Sequence, residues 1–166
     1  MSLVSTKWLF NNRENVKIID CSWHLPNEKR NSLEEYNSEH IPNAIYFDID
    51  KNSNQNSDLP HMLPSKKEWE EIVSSLGISN DDKIIIYDNS DLISSCRLWY
   101  SFLYFGHNKE LIYILNGGLQ KWNKEKLVTT NIKTDLVKTK YSAIENDEMV
   151  KNLDEINDNI EKKKFK

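Results

Sequence analysis

Cysteine is almost absent from this chain. Only Cys21 and Cys96 occur in 166 residues, and they share no CxxC spacing. With four scattered histidines they give no zinc-binding pattern, and so sparse a set points to a reducing compartment. Arginine is scarce as well, with only Arg13, Arg30 and Arg97. The net charge of −4 offers no electrostatic footprint for nucleic acid. No apolar run approaches the length of a membrane span. The opening residues, Met1 to Lys7, show neither an apolar signal core nor an Arg-rich amphipathic pattern. A cytoplasmic protein with no nucleic-acid or membrane partner is therefore expected. There is no internal repeat, and no low-complexity tract beyond a bias toward Lys and Asn.

What remains is enough for one domain with a short extension and a buried core that needs no staples. Val4 to Asn11 reads as a short helix capped by Ser5 or Thr6. Val16 to Asp20 reads as a strand. A helix over Leu33 to His40 stops before Pro42, because a residue preceding proline avoids the helical region. Ala44 to Phe47 is a second strand. Ser65-Lys66-Lys67-Glu68 is a capping box, and Trp69, Ile72, Val73 and Leu76 behind it mark one helix face. Gly77 suits the residue just past that helix. A strand over 83–87, a loop and helix over 88–105, a strand over 111–115 and a helix over 118–125 follow. Alternating strands and helices, with several continuous apolar strands, predict an α/β fold with a parallel sheet covered on both faces. After Lys126 the pattern fades into a linker. From Glu145 to Asn159, Met149, Val150, Leu153 and Ile156 predict one more amphipathic helix.

The most informative stretch is Tyr87 to Arg97. An apolar strand (Ile84 to Tyr87) turns directly into an apolar helix. That geometry gathers backbone N–H groups at the positive end of a helix dipole and suits an anion or a thiolate. The first residue after the strand, however, is Asp88.

Several runs together resemble the two-domain thiosulfate and 3-mercaptopyruvate sulfurtransferases of the rhodanese family. Asp20-Cys21-Ser22-Trp23-His24-Leu25-Pro26 is similar to D-A-S-W-x-L-P. His40-Ile41-Pro42-Asn43-Ala44 resembles H-I-P-G-A, Tyr46-Phe47-Asp48-Ile49-Asp50 resembles F-F-D-I-D, and His61-Met62-Leu63-Pro64 matches H-M-L-P. Tyr87-Asp88 and then Arg97-Leu98-Trp99-Tyr100 resemble Y-D and R-V-W-W. Phe105-Gly106-His107 and Leu115 to Trp122 continue in the same order. The set covers about residues 3–125.

The resemblance implies a rhodanese-like domain over 1–125 with about five parallel strands flanked by helices. It further implies a linker over 126–144 and the opening helix of a second rhodanese domain over 145–166. In that family the second domain carries the catalytic cysteine and the first is a degenerate copy. The implied activity moves a sulfane sulfur from thiosulfate or 3-mercaptopyruvate to a cysteine thiolate and on to an acceptor, with no metal or organic cofactor. The implied partners are the second rhodanese domain, in cis or in trans, and small sulfur-donor anions. The alternative is a free-standing, non-catalytic rhodanese domain used as a binding or regulatory module.

Asp88 stands where an active domain would place its cysteine, and a carboxylate forms no persulfide. It is expected to accept loop N–H bonds and steady the turn. Arg97 is expected to pair with Asp88 or Asp91. Cys96, next to Arg97, is misplaced for a persulfide, and both cysteines read as packed side chains. Asp50 and His61 match first-domain positions implicated in a proton relay. They are read either as an assisting acid–base pair or as plain interface hydrogen bonding. Trp8, Trp23, Trp69, Trp99 and Trp122 are read as core or interface residues.

Overall fold

A computed structural model describes residues 3–165. The elements are β1 (Leu3–Val4), α1 (Thr6–Asn12), β2 (Lys17–Asp20), α2 (Ser32–Ser38), β3 (Ala44–Tyr46), α3 (Lys66–Ser75), β4 (Ile84–Tyr87), α4 (Ser94–Tyr104), β5 (Ile112–Leu115), α5 (Gly118–Lys124) and α6 (Leu153–Lys162). The five strands form one parallel sheet in the order β1-β5-β4-β2-β3. This is the expected α/β architecture. All strands run the same way, so the loops after β2, β3 and β4 gather at one edge of the sheet. In open α/β sheets that carboxyl edge is where ligands bind.

Side-chain alternation along β4 divides the core between the two faces. Ile84 and Ile86 join Trp69, Phe102 and Phe105 on one face. Ile85 and Tyr87 join Leu9, Leu119 and Trp122 on the other. Trp69 and Trp122 are fully buried, while Trp8, Trp23 and Trp99 are half-buried. The Ser65–Glu68 capping box forms as predicted, with Ser65 accepting from the Glu68 N–H and Glu68 reaching back to the Ser65 N–H. Gly77, at φ 70°, follows the end of α3.

Three expectations need correction. Val4, expected to open the first helix, instead forms a strand with Leu3, and the two pair with Leu115 and Ile114. The last helix starts at Leu153, not Glu145, because Asn152 and Glu155 form a capping box there. Met149 and Val150 therefore precede it, and its apolar stripe is Leu153, Ile156 and Ile160, none of them buried. Residues 126–144, expected to be a linker, lack regular elements yet lie against the domain like a strap. Thr130 exchanges backbone hydrogen bonds with His40. Thr139 Oγ1 donates to Ile78 O at 2.6 Å, and Tyr141 and Ala143 are buried. The strap runs so close that a Cβ at Gly77 would stand 2.8 Å from Val137 O, and one at Gly106 2.8 Å from Ile144 O. Among the described residues no helix is long and apolar enough to cross a membrane.

Candidate functional site

The β4–α4 loop turns strand directly into helix, and its first residue, Asp88, takes up the helix terminus. The residue before α4, Ile93, has a left-handed backbone (φ 53°) and no capping side chain. Asp88 supplies the missing cap from upstream: its Oδ2 accepts the Ser95 N–H at 2.7 Å. Ser90 Oγ and Ser94 Oγ lie 2.9 Å apart and close the loop beneath. Asp88 also accepts the Leu119 N–H on its backbone oxygen at 3.0 Å. That approach needs Gly118, since a Cβ there would meet Asp88 O at 2.4 Å. The Asp88 carboxylate thus accepts an N–H of α4, and its backbone oxygen one of α5.

A cavity of about 430 Å³ lies beside this loop, with Asp88, Asp91, Cys96 and Gly117 among its lining residues. It holds no activated nucleophile. Burial first, and then the Asp88 charge, push the Cys96 thiol up. The same two causes push Cys21 further. Thiolates need the opposite environment. Cys21 is fully buried and its thiol donates to Tyr87 O at 3.5 Å, so it is a packed side chain as expected.

Arg97 departs from expectation. Among the described residues no carboxylate lies within ion-pair distance of it. Asp88 is turned to the helix terminus and Asp91 is exposed. Arg97 Nη2 instead donates to His61 O at 2.5 Å, and burial pulls the guanidinium pKa down.

The sequence-predicted pair forms in the long loop after β3. His61 Nε2 lies 2.6 Å from Asp50 Oδ1. Trp23 Nε1–H donates to the other carboxylate oxygen, Asp50 Oδ2, at 2.9 Å. The indole also stands edge-on to the His61 ring, with centroids 4.9 Å apart and planes at 86°. His61 has φ 57°, a left-handed conformation that costs a non-glycine residue about 1 kcal/mol. The bond from Arg97 and the one from Asn54 N to Met62 O at 2.8 Å hold the loop in that shape. The His61 side chain keeps 30% of its exposure and Asp50 65%. The pair is thus open to solvent but fixed on several sides, which suits a group that gives and takes a proton.

Sequence reasoning assigned Trp23 only to a core or interface. Its hydrogen bond spans 27 residues. The available signal was its place in the run directly after β2, at the edge where the β3 loop also emerges. A second network ties this edge to the Asp88 loop. Arg30 grips Glu35 through two 2.7 Å bonds and donates to Asn89 O, while Asn89 N–H donates to Ser22 Oγ at 2.8 Å. Among the described residues no group of three His, Cys, Asp or Glu is arranged to hold a metal ion.

Comparison with known proteins places these loops in context. The rhodanese-like domain family matches residues 5–125. Thiosulfate/3-mercaptopyruvate sulfurtransferase 1, mitochondrial, of Arabidopsis thaliana is 43% identical over 122 residues, which cover 72% of this chain and 32% of that protein. Thiosulfate sulfurtransferase of Bos taurus is 34% identical across 99% of this chain and 57% of its own length. The crystal structure of SseA from Escherichia coli, a 3-mercaptopyruvate sulfotransferase, superposes with a TM-score of 0.84 at 31% identity, covering 96% of this chain and 62% of that one. The chain thus spans less than two thirds of the relatives it matches. Its five parallel strands, the order of its loops and a match running from α1 through α5 agree: the chain belongs to the rhodanese family and is a homologue of the thiosulfate/3-mercaptopyruvate sulfurtransferases.

Proposed function

We propose that this chain works as the non-catalytic rhodanese domain of a two-domain thiosulfate/3-mercaptopyruvate sulfurtransferase. A second rhodanese domain, in the same polypeptide or a separate one, supplies the cysteine. The observation that carries this reading is the contrast within one sheet edge: the first residue after β4 is Asp88, which caps α4, while Asp50 and His61 are paired and open. In this reading the partner domain's thiolate attacks the donor sulfur. The sulfur's bond to its carrier breaks, a persulfide forms on the cysteine, and an acceptor thiol or cyanide later removes that sulfur. His61 handles a proton at the shared cleft. Arg97, without a carboxylate partner among the described residues, leaves a positive charge next to it for an anionic donor.

The test mixes the chain with a separately expressed rhodanese domain that carries an active cysteine loop. Thiocyanate formation from thiosulfate and cyanide, and pyruvate release from 3-mercaptopyruvate, are followed. The chain alone is expected to be inactive. The mixture is expected to turn over and to melt at a higher temperature than the chain. His61→Ala is expected to slow the mixture by about a hundredfold with little effect on melting of the chain. Turnover by the chain alone that survives in a Cys21→Ser, Cys96→Ser double variant would overturn the reading. A monomeric chain whose melting ignores the added domain would favour the second reading, a free-standing binding module. The exposed stripe on α6 (Leu153 73%, Ile160 70%) supports the first reading, as a face that a second rhodanese domain would cover.

A further inference from the structure

We infer that Trp23 is the positioning residue of the Asp50–His61 pair and that it leaves His61 Nδ1, not Nε2, as the nitrogen presented to a substrate. The inference rests on the reading above, in which the pair assists the reaction. A carboxylate only accepts hydrogen bonds, so the nitrogen that meets Asp50 carries the proton. That nitrogen is Nε2, at 2.6 Å from Oδ1. Nδ1 has no hydrogen-bond partner among the described residues, and the side chain retains 30% exposure. In the neutral ring Nδ1 is therefore the free base, on the side away from Asp50.

Asp50 would not hold this arrangement unaided. Its side chain is 65% exposed, and an exposed carboxylate rotates freely enough that most surface pairs contribute little. Trp23 removes that freedom. Its N–H fixes Oδ2 at 2.9 Å, so Oδ1 faces His61. The edge-on indole then limits tilting of the imidazole. One side chain thus restrains both members of the pair, and it enters from the loop after β2 rather than from the pair's own loop. Groups that orient a reacting side chain in this way commonly affect rate without touching substrate.

Nuclear magnetic resonance on the intact ¹⁵N-labelled chain tests the positioning directly. In the native chain the His61 Nε2 proton is expected to be visible and slow to exchange, with Nδ1 unprotonated. Trp23→Phe keeps a ring beside His61 and removes the N–H donor. It is expected to speed exchange of the Nε2 proton by about tenfold, the loss expected for a bond to a charged group. Asp50→Ala, which keeps Trp23, gives the reciprocal reading should Trp23→Phe fail to fold: the indole proton is expected to move upfield and exchange faster. Exchange of the Nε2 proton unchanged within about twofold in a folded Trp23→Phe chain, or an indole proton indifferent to Asp50→Ala, would overturn the inference. Activity of the two-domain mixture separates this result from the function. Trp23→Phe is expected to lower kcat by about tenfold or more at similar KM. If exchange responds while even His61→Ala leaves turnover intact, the positioning stands and the assisting role falls.

Discussion

The loop after β4 and the loop after β3 leave the same edge of one sheet and have become opposites. In the first, a carboxylate is folded inward. Asp88 is 8% exposed, and its carboxylate has become part of the helix it precedes. In the second, His61 stands partly open on a left-handed backbone, steadied by Trp23, Asp50 and Arg97. The first arrangement contributes stability and offers no nucleophile. The second contributes little stability and presents a titratable group. Two loops at one sheet edge can thus differ in kind, one closed on its own helix terminus and one holding a polar pair open to solvent.

The sharpest way to break this contrast is at Gly118. A methyl there meets Asp88 O at 2.4 Å on a backbone at φ 54°. Gly118→Ala is expected to destabilise the chain by on the order of 3 kcal/mol, read from urea denaturation. A loss below about 1 kcal/mol would mean that the Asp88 loop is not tightly held. Asp88→Ala comes next. It leaves the Ser95 N–H without its cap and is expected to cost about 1–2 kcal/mol. Asp88→Asn should cost less, because an amide oxygen can still accept that N–H. The same substitution removes the second cause that holds the Cys96 thiol above its ordinary 9.0. Alkylation of Cys96 at pH 8 should then be faster in Asp88→Asn than in the native chain, since lowering a thiol's pKa raises its thiolate fraction. Equal rates would show that the Asp88 charge does not reach the thiol. The smallest stability effect belongs to the open loop. His61→Gly relieves the left-handed strain but loses the Trp23 contact and an exposed hydrogen bond to Asp50, so a net change below about 1 kcal/mol is expected. A larger loss would show that the His61 loop, like the Asp88 loop, serves the fold.

Much of the fold was legible because local signals agreed with it. Ser65, Glu68 and Gly77 marked the ends of α3, and the Ile84 to Tyr87 run marked a strand buried throughout. The two-residue β1 was not legible, because it exists only by pairing with β5 more than a hundred residues later. The start of α6 was missed because the apolar spacing from Met149 outweighed the Asn152–Glu155 cap. At the edge of the sheet, the pairing of Asp50 with His61 was legible through resemblance, and an N–H partner for Asp88 through its chemistry. The partner of Arg97 was not legible. Choosing between Asp88, Asp91 and a backbone oxygen depends on how the loop turns, which no residue type dictates. Trp23 was hidden for a related reason: an indole N–H shows its partner only once two distant loops meet.

The strap has a consequence for how the molecule is made. Thr134 Oγ1 reaches Ala44 O across 90 residues, and Tyr141 stacks on His107 and meets Phe102 edge-on. Contacts so distant in sequence carry a loop-closure cost that nearby contacts avoid. On a ribosome the sheet and its helices are synthesised before this segment. The nascent domain therefore carries an open furrow beside Phe102 and His107, and a backbone left bare at Gly77 and Gly106, until residues 137–144 emerge to line them.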